Sequence, residues 1–577
     1  MAYDGLTMAC VRQELQQILS GARVEKIYQP GSQEIILHLR TPAAVYMLLC
    51  SADPRLARVH LTTEKPENPA VPAAFCMLLR KHLTGARLLD IEQDQLERVL
   101  TFVFRSYDEF GSQAKKSLIC EVMGKHSNII LTMPDEQGTA QILGSIKTVD
   151  AAMSRFRLVM PGEPYLPPPA QNKLDLFSFT EEELAAALLQ ADNKTAEQTL
   201  VQAVAGIGRE LAREIIRSAA GTEAVQPIAM VRSLTVELRK LAAAFKEGKL
   251  KPCVSRKAGQ MPSYSLLPPP ASPQRELTFF TTVNEALDAY YAALVAEQQT
   301  KTVRQRLLQV INNHISRTKK KLRLQQKELQ EMDAAERYRI WGEMLTANLH
   351  LLRNGMQEAR VTNYYAENNE ELIIPLNPAL SPQANAQRYF KKYRKLRDGK
   401  KYLLQRLKTT QSELTYLDTL LVAAQTADLS ALFEIEEEMA KAGLIRSKTR
   451  QKRSAAPPSQ PLHFLSPDGI DVFIGKNNRQ NDFLALRFAA PTDFWLHVKD
   501  VPGSHVIIRH AEPPASTLLF AANLAVRHSK AADSANVPVD YTQVKHVRKP
   551  RGAKPGMVIY DHHHTIYVTP NTDADNV

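Results

Sequence analysis

Cysteine is scarce in this chain: Cys10, Cys50, Cys76, Cys120 and Cys253 are scattered, with no CxxC and no close pair. An odd count without paired spacing argues against a disulfide framework and a zinc module, and for small buried hydrophobes in a reducing compartment. No apolar run approaches membrane-spanning length. The opening Met1 to Leu6 carries Asp4 and no basic segment, so neither a membrane anchor nor an export signal is expected. P-loop, Gly-x-Ser-x-Gly and HExxH signatures are missing as well. These absences predict a cytoplasmic protein with no membrane association, no metal and no cofactor.

What is present is length and positive charge. At 577 residues the chain is too long for one core, and its 44% hydrophobic and 23% charged residues are ordinary for a globular protein. Lys and Arg number 73 against 61 Asp and Glu, a net charge of +12. Such an excess favours a polyanionic partner, because each phosphate neutralised by a cation releases condensed counterions. The charge is also uneven. From Lys441 onward 18 Lys and Arg face 11 Asp and Glu, a surplus of 7 out of the 12. A localised surplus is better support for a polyanion contact than the total.

The pattern predicts an α+β multidomain protein. Residues 1–172 alternate sheet and helix: Glu34 to Leu39, Arg98 to Phe104 and Ser117 to Met123 are short β-forming runs bounded by turn residues, and helices are predicted over Thr7 to Ser20 and Val71 to Thr84. Pro167-Pro168-Pro169 closes the segment as a stiff spacer. Residues 173–275 follow as a helical and connecting segment. Within it, Leu200 to Ala212 reads as helix, Gly206-Ile207-Gly208 turn, helix. Its glycines leave amides for a phosphate at the next helix N-terminus, and they suit a plain packing turn as well.

Residues 276–440 become long helices. Leu396, Leu403, Leu407, Leu414, Leu417 and Leu421 fall at a and d positions, with Lys400 and Thr410 in the skipped sites. Leu308, Ile311, Ile315, Leu322, Leu329 and Met332 keep a similar register upstream. Two such stretches around Asn348 to Pro382 predict an antiparallel coiled-coil hairpin with a small tip, projecting tens of ångströms at about 1.5 Å per residue. The run Arg317 to Arg323 suits either RNA phosphates or a solvated helix face. Residues 441–460 read as an exposed basic linker, with Arg446, Lys448, Arg450, Lys452 and Arg453. Residues 461–570 form the last domain.

That domain holds the densest motif, Gly475-Lys476-Asn477-Asn478-Arg479-Gln480-Asn481-Asp482, which packs amides and cations behind the predicted strand Asp471 to Ile474. Donors so dense suit phosphate, sugar or base edges. Asp493 to Asp500, with Lys499, Pro502 to Val506, with His505, Val539 to Thr542, and Val547 to Gly556, with Arg548, Lys549 and Lys554, complete a set of RNA-binding candidates. Trp495 and Tyr541 are either base-stacking or core aromatics, and His497 and His505 either structural or phosphate-contacting. His562-His563-His564 is not read as a metal site, because side chains alternate along a strand.

Taken together these segments resemble the RNA-binding C-terminal module of the NFACT family. Met1 to Gly5, Phe75 to Leu83, Glu121 to Asn128 and Pro161 to Tyr165 resemble the family's N-terminal domain. The resemblance runs over nearly the whole chain in the family's order: N-terminal domain, helix-hairpin-helix, coiled-coil arm, α/β RNA-binding module. It implies a factor that binds large ribosomal subunits obstructed by peptidyl-tRNA, recruits alanyl-tRNA and promotes mRNA-independent alanine tailing of the stalled chain. A small S4-like helper protein is a further implied partner. Peptidyl transfer would be ribosomal, so no enzyme activity is expected. The resemblance also implies tRNA engagement by Glu97 and Arg98, where bacterial members usually carry Asp-Arg; the longer carboxylate keeps the charge and changes its reach. The family's N-terminal fold resembles that of formamidopyrimidine-DNA glycosylases. Their proline nucleophile is replaced here by Ala2 and Tyr3, so glycosylase chemistry is not expected. Two rivals stand beside this reading: a fibronectin-binding surface adhesin, after an older label of the family, and a general RNA-binding scaffold without tailing.

Overall fold

The structure, a computed structural model, describes all residues except 1–2, 108–112, 155, 190–194, 221–229, 258–259, 270–271, 273–274, 334, 366–369, 447–458 and 571–577. Most of the basic linker predicted over 441–460, including Lys448, Arg450, Lys452 and Arg453, lies outside the described residues. Two compact units are formed, Met1–Glu297 and Gln298–Val577.

The first unit is built on a nine-stranded antiparallel sheet. Arg23–Tyr28, Glu34–Arg40, Val45–Ser51 and Arg58–Thr62 form one meander, and Arg87–Glu92, Val99–Tyr107, Gln113–Glu121, Asn128–Pro134 and Ala140–Ser145 the other. The two meet where Arg23–Tyr28 pairs with Arg87–Glu92. Val99–Tyr107 shows why the sequence forms strands: Leu100, Phe102, Phe104 and Ser106 point inward while the intervening residues do not. Lys147 Nζ donates to the carbonyls of Ala52 (2.5 Å) and Ser127 (3.0 Å), tying the two meanders together.

Helices Gly5–Leu19 and Ala74–Leu83 cover this sheet. Four more helices follow, Glu181–Leu189, Ala196–Ala203, Arg209–Ala220 and Val231–Lys246, and then a three-stranded sheet with Cys253–Lys257 between Ser263–Ser265 and Arg275–Phe279. One contiguous core runs through all of it, from Tyr3 through Leu100, Leu200, Leu211 and Leu238 to Tyr291. All five cysteines are unpaired and buried, as the scattered spacing implied.

In the second unit, the remainder of helix Val283–Asp333 runs antiparallel to helix Pro382–Thr426. Arg304 donates to the carbonyl of Ala427, Lys321 pairs with Glu413, and Met332 lies against Gly399, so the numbering falls on one helix as it rises on the other. Leu403, Thr410, Leu414 and Leu417 are buried along the predicted seam, with Leu396, Leu407 and Leu421 half-buried. Upstream, Ile311 and Ile315 face in, and Leu307 is more deeply buried than the predicted Leu308. Helix Leu429–Lys441 packs onto this base through Leu432, Ile435 and Met439. Between the long helices, helix Ala335–Ala347 and the hairpin Glu358–Thr362 with Glu371–Pro375 enclose a separate small core around Met344, Ile374 and Tyr389.

The last domain is a six-stranded antiparallel sheet in the order Leu462–Leu465, Asp471–Ile474, Val506–Ile508, Phe494–Val498, Val537–Gln543, His564–Val568. Helix Ala515–Arg527 packs on it through Ala521, Ala522 and Ala525. Among the described residues no helix is long and apolar enough to cross a membrane.

Candidate nucleic-acid interface

Two distant stretches of sequence, Glu97-Arg98 and Gly206-Ile207-Gly208, line one cavity of about 300 Å³ in the first unit, with Tyr3, Asp4, Gly5, Gln171, Lys173 and Arg209. Asp4 organises it. Its backbone is extended, and its carboxylate accepts from Thr7 N at 2.8 Å, capping helix Gly5–Leu19. The other oxygen accepts from Gly208 N at 2.9 Å, at the start of helix Arg209–Ala220. One side chain therefore satisfies an orphan amide on each of two helices 204 positions apart.

The glycines are needed for this approach. A Cβ on Gly208 would stand 2.8 Å from Asp4 Cβ, and one on Gly5 would lie 1.9 Å from the Leu96 carbonyl oxygen. Gly206 sits at φ +80° against Leu96, and its carbonyl accepts from Leu6 N. The phosphate site expected at this helix start is thus corrected in one respect: the Gly208 amide is already taken by the Asp4 carboxylate, an anion of the protein's own.

What remains open to a ligand is the rim. Gln93 Nε2 donates to the carbonyls of Gly5 (3.1 Å) and Glu97 (2.8 Å), and Gln171 Nε2 to Glu97 Oε2 (3.4 Å). The carbonyl of Arg98 accepts from Val122 N, which fixes the pair at the head of strand Val99–Tyr107. Burial raises the Asp4 pKa against the pull of its two amides. Burial also lowers that of Lys173, and the nearby Arg98 guanidinium pushes it the same way, so two cations crowd one wall. Arg98, Lys173 and Arg209 against Glu97 and Asp4 make a polar, net-positive recess suited to a nucleotide end.

The C-terminal module departs from the sequence expectation. Asn477 and Asn478 are 1% and 2% exposed. Asn477 caps helix Asn478–Phe483 through Oδ1 and donates through Nδ2 to Glu434 at 2.6 Å. Asn478 Nδ2 donates to Glu438 (3.0 Å) and Thr419 (3.1 Å). Lys476 pairs with Asp428 at 2.7 Å, and Arg479 with Glu437 at 2.7 Å. Burial works to raise Asp428, yet the bonds from Lys476, Ala431 N and Ser430 hold it at about 2. The motif expected to present donors to RNA is thus spent on the acidic helical base. A row of amides and cations meets carboxylates as readily as phosphates, which corrects Asn477 and Asn478 as RNA contacts and makes Lys476 and Arg479 primarily partners of the base.

His505 is corrected too. It is 2% exposed among Trp495 and His497, and burial lowers its pKa to about 3, leaving it neutral. Trp495 is likewise core, while Tyr541 is half-buried. His562, His563 and His564 turn toward His546, Tyr560 and Tyr541 respectively, three different neighbours.

Arg548, 67% exposed beside Asp561, and Lys499, 3.9 Å from Asp540, remain at the surface. Lys549 pairs with Asp482, and the Lys554 ammonium sits over the Tyr416 ring at 4.2 Å. The basic run Arg317 to Arg323 keeps its cations exposed, apart from the long Lys321 pair with Glu413. Sequence reasoning passed over a longer basic stretch on the returning helix. Arg388, Lys391, Lys392, Arg394, Lys395, Arg397, Lys400 and Lys401 are all exposed, with Asp398 as the one acid in that span. Counting charge rather than leucines along that helix would have found it.

The fold defines a multidomain α+β protein that carries exposed cations in both units. Residues 4–457 match the NFACT N-terminal and middle domains, and residues 460–561 the NFACT protein RNA binding domain. The chain belongs to the NFACT family. It is 36% identical over 576 residues to the Rqc2 homolog RqcH of Bacillus subtilis, covering 100% of this chain and 99% of that one. It is 35% identical to the Rqc2 homolog RqcH of Streptococcus suis, covering 99% of each. Similarity to the human ribosome quality control complex subunit NEMF is 31% over 132 residues, 22% of this chain and 11% of that one. A solved N-terminal part of the fibronectin/fibrinogen-binding protein from Streptococcus suis is also similar, at 32% identity with a TM-score of 0.40, over 50% of this chain and 99% of that chain. These relatives support a role in ribosome quality control.

Proposed function

We propose that the protein binds large ribosomal subunits obstructed by peptidyl-tRNA in the cytoplasm, recruits alanyl-tRNA, and promotes mRNA-independent alanine tailing of the stalled chain. The ribosome supplies the peptidyl transfer, and this chain acts as adaptor and elongation scaffold, with an S4-like protein as helper. The observation that carries the reading is the cavity that gathers Glu97, Arg98, Lys173 and Arg209 around the Asp4–Gly208 bond, in a chain similar to RqcH over its full length. A recess of about 300 Å³ rimmed by cations suits the sugar-phosphate of a tRNA end. The exposed cations of the helical arm and of the C-terminal module hold rRNA without reading sequence.

Replacing both Glu97 and Arg98 with Ala tests the division of labour. Tailing and tRNA co-purification are expected to be lost while co-sedimentation with large subunits persists. Retention of tailing by the double variant, or loss of subunit binding with it, refutes the assignment.

A further inference from the structure

A second recess of the first unit, about 290 Å³, lies between helix Arg209–Ala220 and the outward face of the three-stranded sheet. It shares no lining residue with the Glu97–Arg98 cavity, so its reading stands independently. Cross-strand register puts Cys253, Ser255 and Lys257 on that face beside their partners Ser265, Ser263 and Arg275, while Val254 and Tyr264 lie on the other face, both buried and Tyr264 in the main core. Ser255 and Ser263 share a 2.8 Å hydroxyl contact on its floor.

The charges do not balance. From the helix come Arg213 and Arg217, each bonded to its own carboxylate, Glu210 at 2.7 Å and Glu214 at 2.8 Å. From the sheet come Lys257 and Arg275, directly opposite each other across the strand pair. Among the described residues neither has a carboxylate within ion-pair distance. Like charges facing each other across a sheet are destabilising. A pair held so, over hydroxyls and with two further guanidiniums opposite, is relieved when an anion sits between them.

We propose that this slot is a phosphate-binding site in which Arg275 and Lys257 clamp the phosphate of one nucleotide unit of RNA. Its volume exceeds that of a bare phosphate and reaches the lower end of small-ligand clefts. Met261 and Pro269 supply an apolar wall for a base, and the serines supply hydroxyl partners for a ribose.

The test is calorimetric titration of the full chain with AMP, adenosine and inorganic phosphate at low ionic strength. AMP is expected to bind saturably and more tightly than phosphate, and adenosine not at all. Arg275→Gln and Lys257→Gln should each weaken AMP binding at least tenfold. Each should also leave the ligand-free melting temperature unchanged or higher, since a repulsion is removed, whereas a purely structural role for either cation would lower it. With Glu97 and Arg98 replaced by Ala, which removes the cavity proposed for a tRNA end, AMP binding should persist and should be lost on adding Arg275→Gln; binding lost with Glu97 and Arg98 alone belongs to that cavity and overturns this site. Equal AMP affinity in wild type and both variants, or no saturable binding, overturns the site. AMP binding no tighter than inorganic phosphate overturns the nucleotide as its occupant.

Discussion

Asp4→Ala isolates the contact that joins the amino-terminal segment to the Gly206–Gly208 turn. The native carboxylate satisfies Thr7 N and Gly208 N, so alanine leaves both amides orphaned in a site that is 7% exposed. Loss of one capping side chain costs about 1 kcal/mol, and ~2 at most. Removing two caps together gives about 2 kcal/mol, held below the upper limit because burial already disfavours the Asp4 charge, as its raised pKa reflects. In a unit spanning Met1–Glu297 that corresponds to a fall of about 3 °C in melting temperature. Asp4→Asn keeps one acceptor oxygen but turns an amide NH₂ toward the second N–H, so it should lose about half as much. Thermal and urea unfolding of the three proteins, followed by circular dichroism, measures the series. A loss under about 0.5 kcal/mol for alanine, or equal losses for the two variants, refutes the two-cap account.

The joint between the C-terminal module and the helical base yields two further tests. Glu438 accepts from Tyr416 and Asn478, and burial raises its pKa above the usual 4.5, so its contribution to stability is present below pH 4.5 and lost as pH rises through the raised value. Glu438→Gln does not titrate and should therefore gain on wild type between pH 4.5 and pH 8 in urea unfolding; a gap that stays constant or moves the other way removes the argument. Arg548→Ala should lower the slope of log affinity for RNA against log salt by about 0.9 for each phosphate the arginine had neutralised, whereas Asn478→Ala should not change it. A reduced slope for Asn478→Ala would restore that residue to the RNA surface and contradict its burial.

Local regularity was legible in the sequence, and partnership across distance was not. The alternation in Val99–Tyr107 and the seam through Leu403, Leu414 and Leu417 are periodic, and period alone places them on a strand and a helix pair. Glu97-Arg98 and Gly206-Ile207-Gly208 were both singled out in the sequence without any sign that one cavity holds them. What joins them is Asp4, whose partner lies 204 residues away and leaves no periodic trace.

The same limit explains the C-terminal motif. Lys476 to Asp482 read as a polyanion-binding loop because its donors are dense, and nothing in the sequence ties it to the acidic run Glu434 to Glu438 some forty residues upstream. The fold places one against the other: Asn477 and Asn478 donate to Glu434 and Glu438, and Arg479 pairs with Glu437, so the loop's donors are taken up by the protein's own carboxylates. Charge surplus therefore overstates what this module offers RNA at that loop, and the surplus that remains accessible sits elsewhere, on Arg548, on Lys499 and along Arg388 to Lys401. A stretch of cations says that anions will be bound; only the fold says whether the protein has already supplied them.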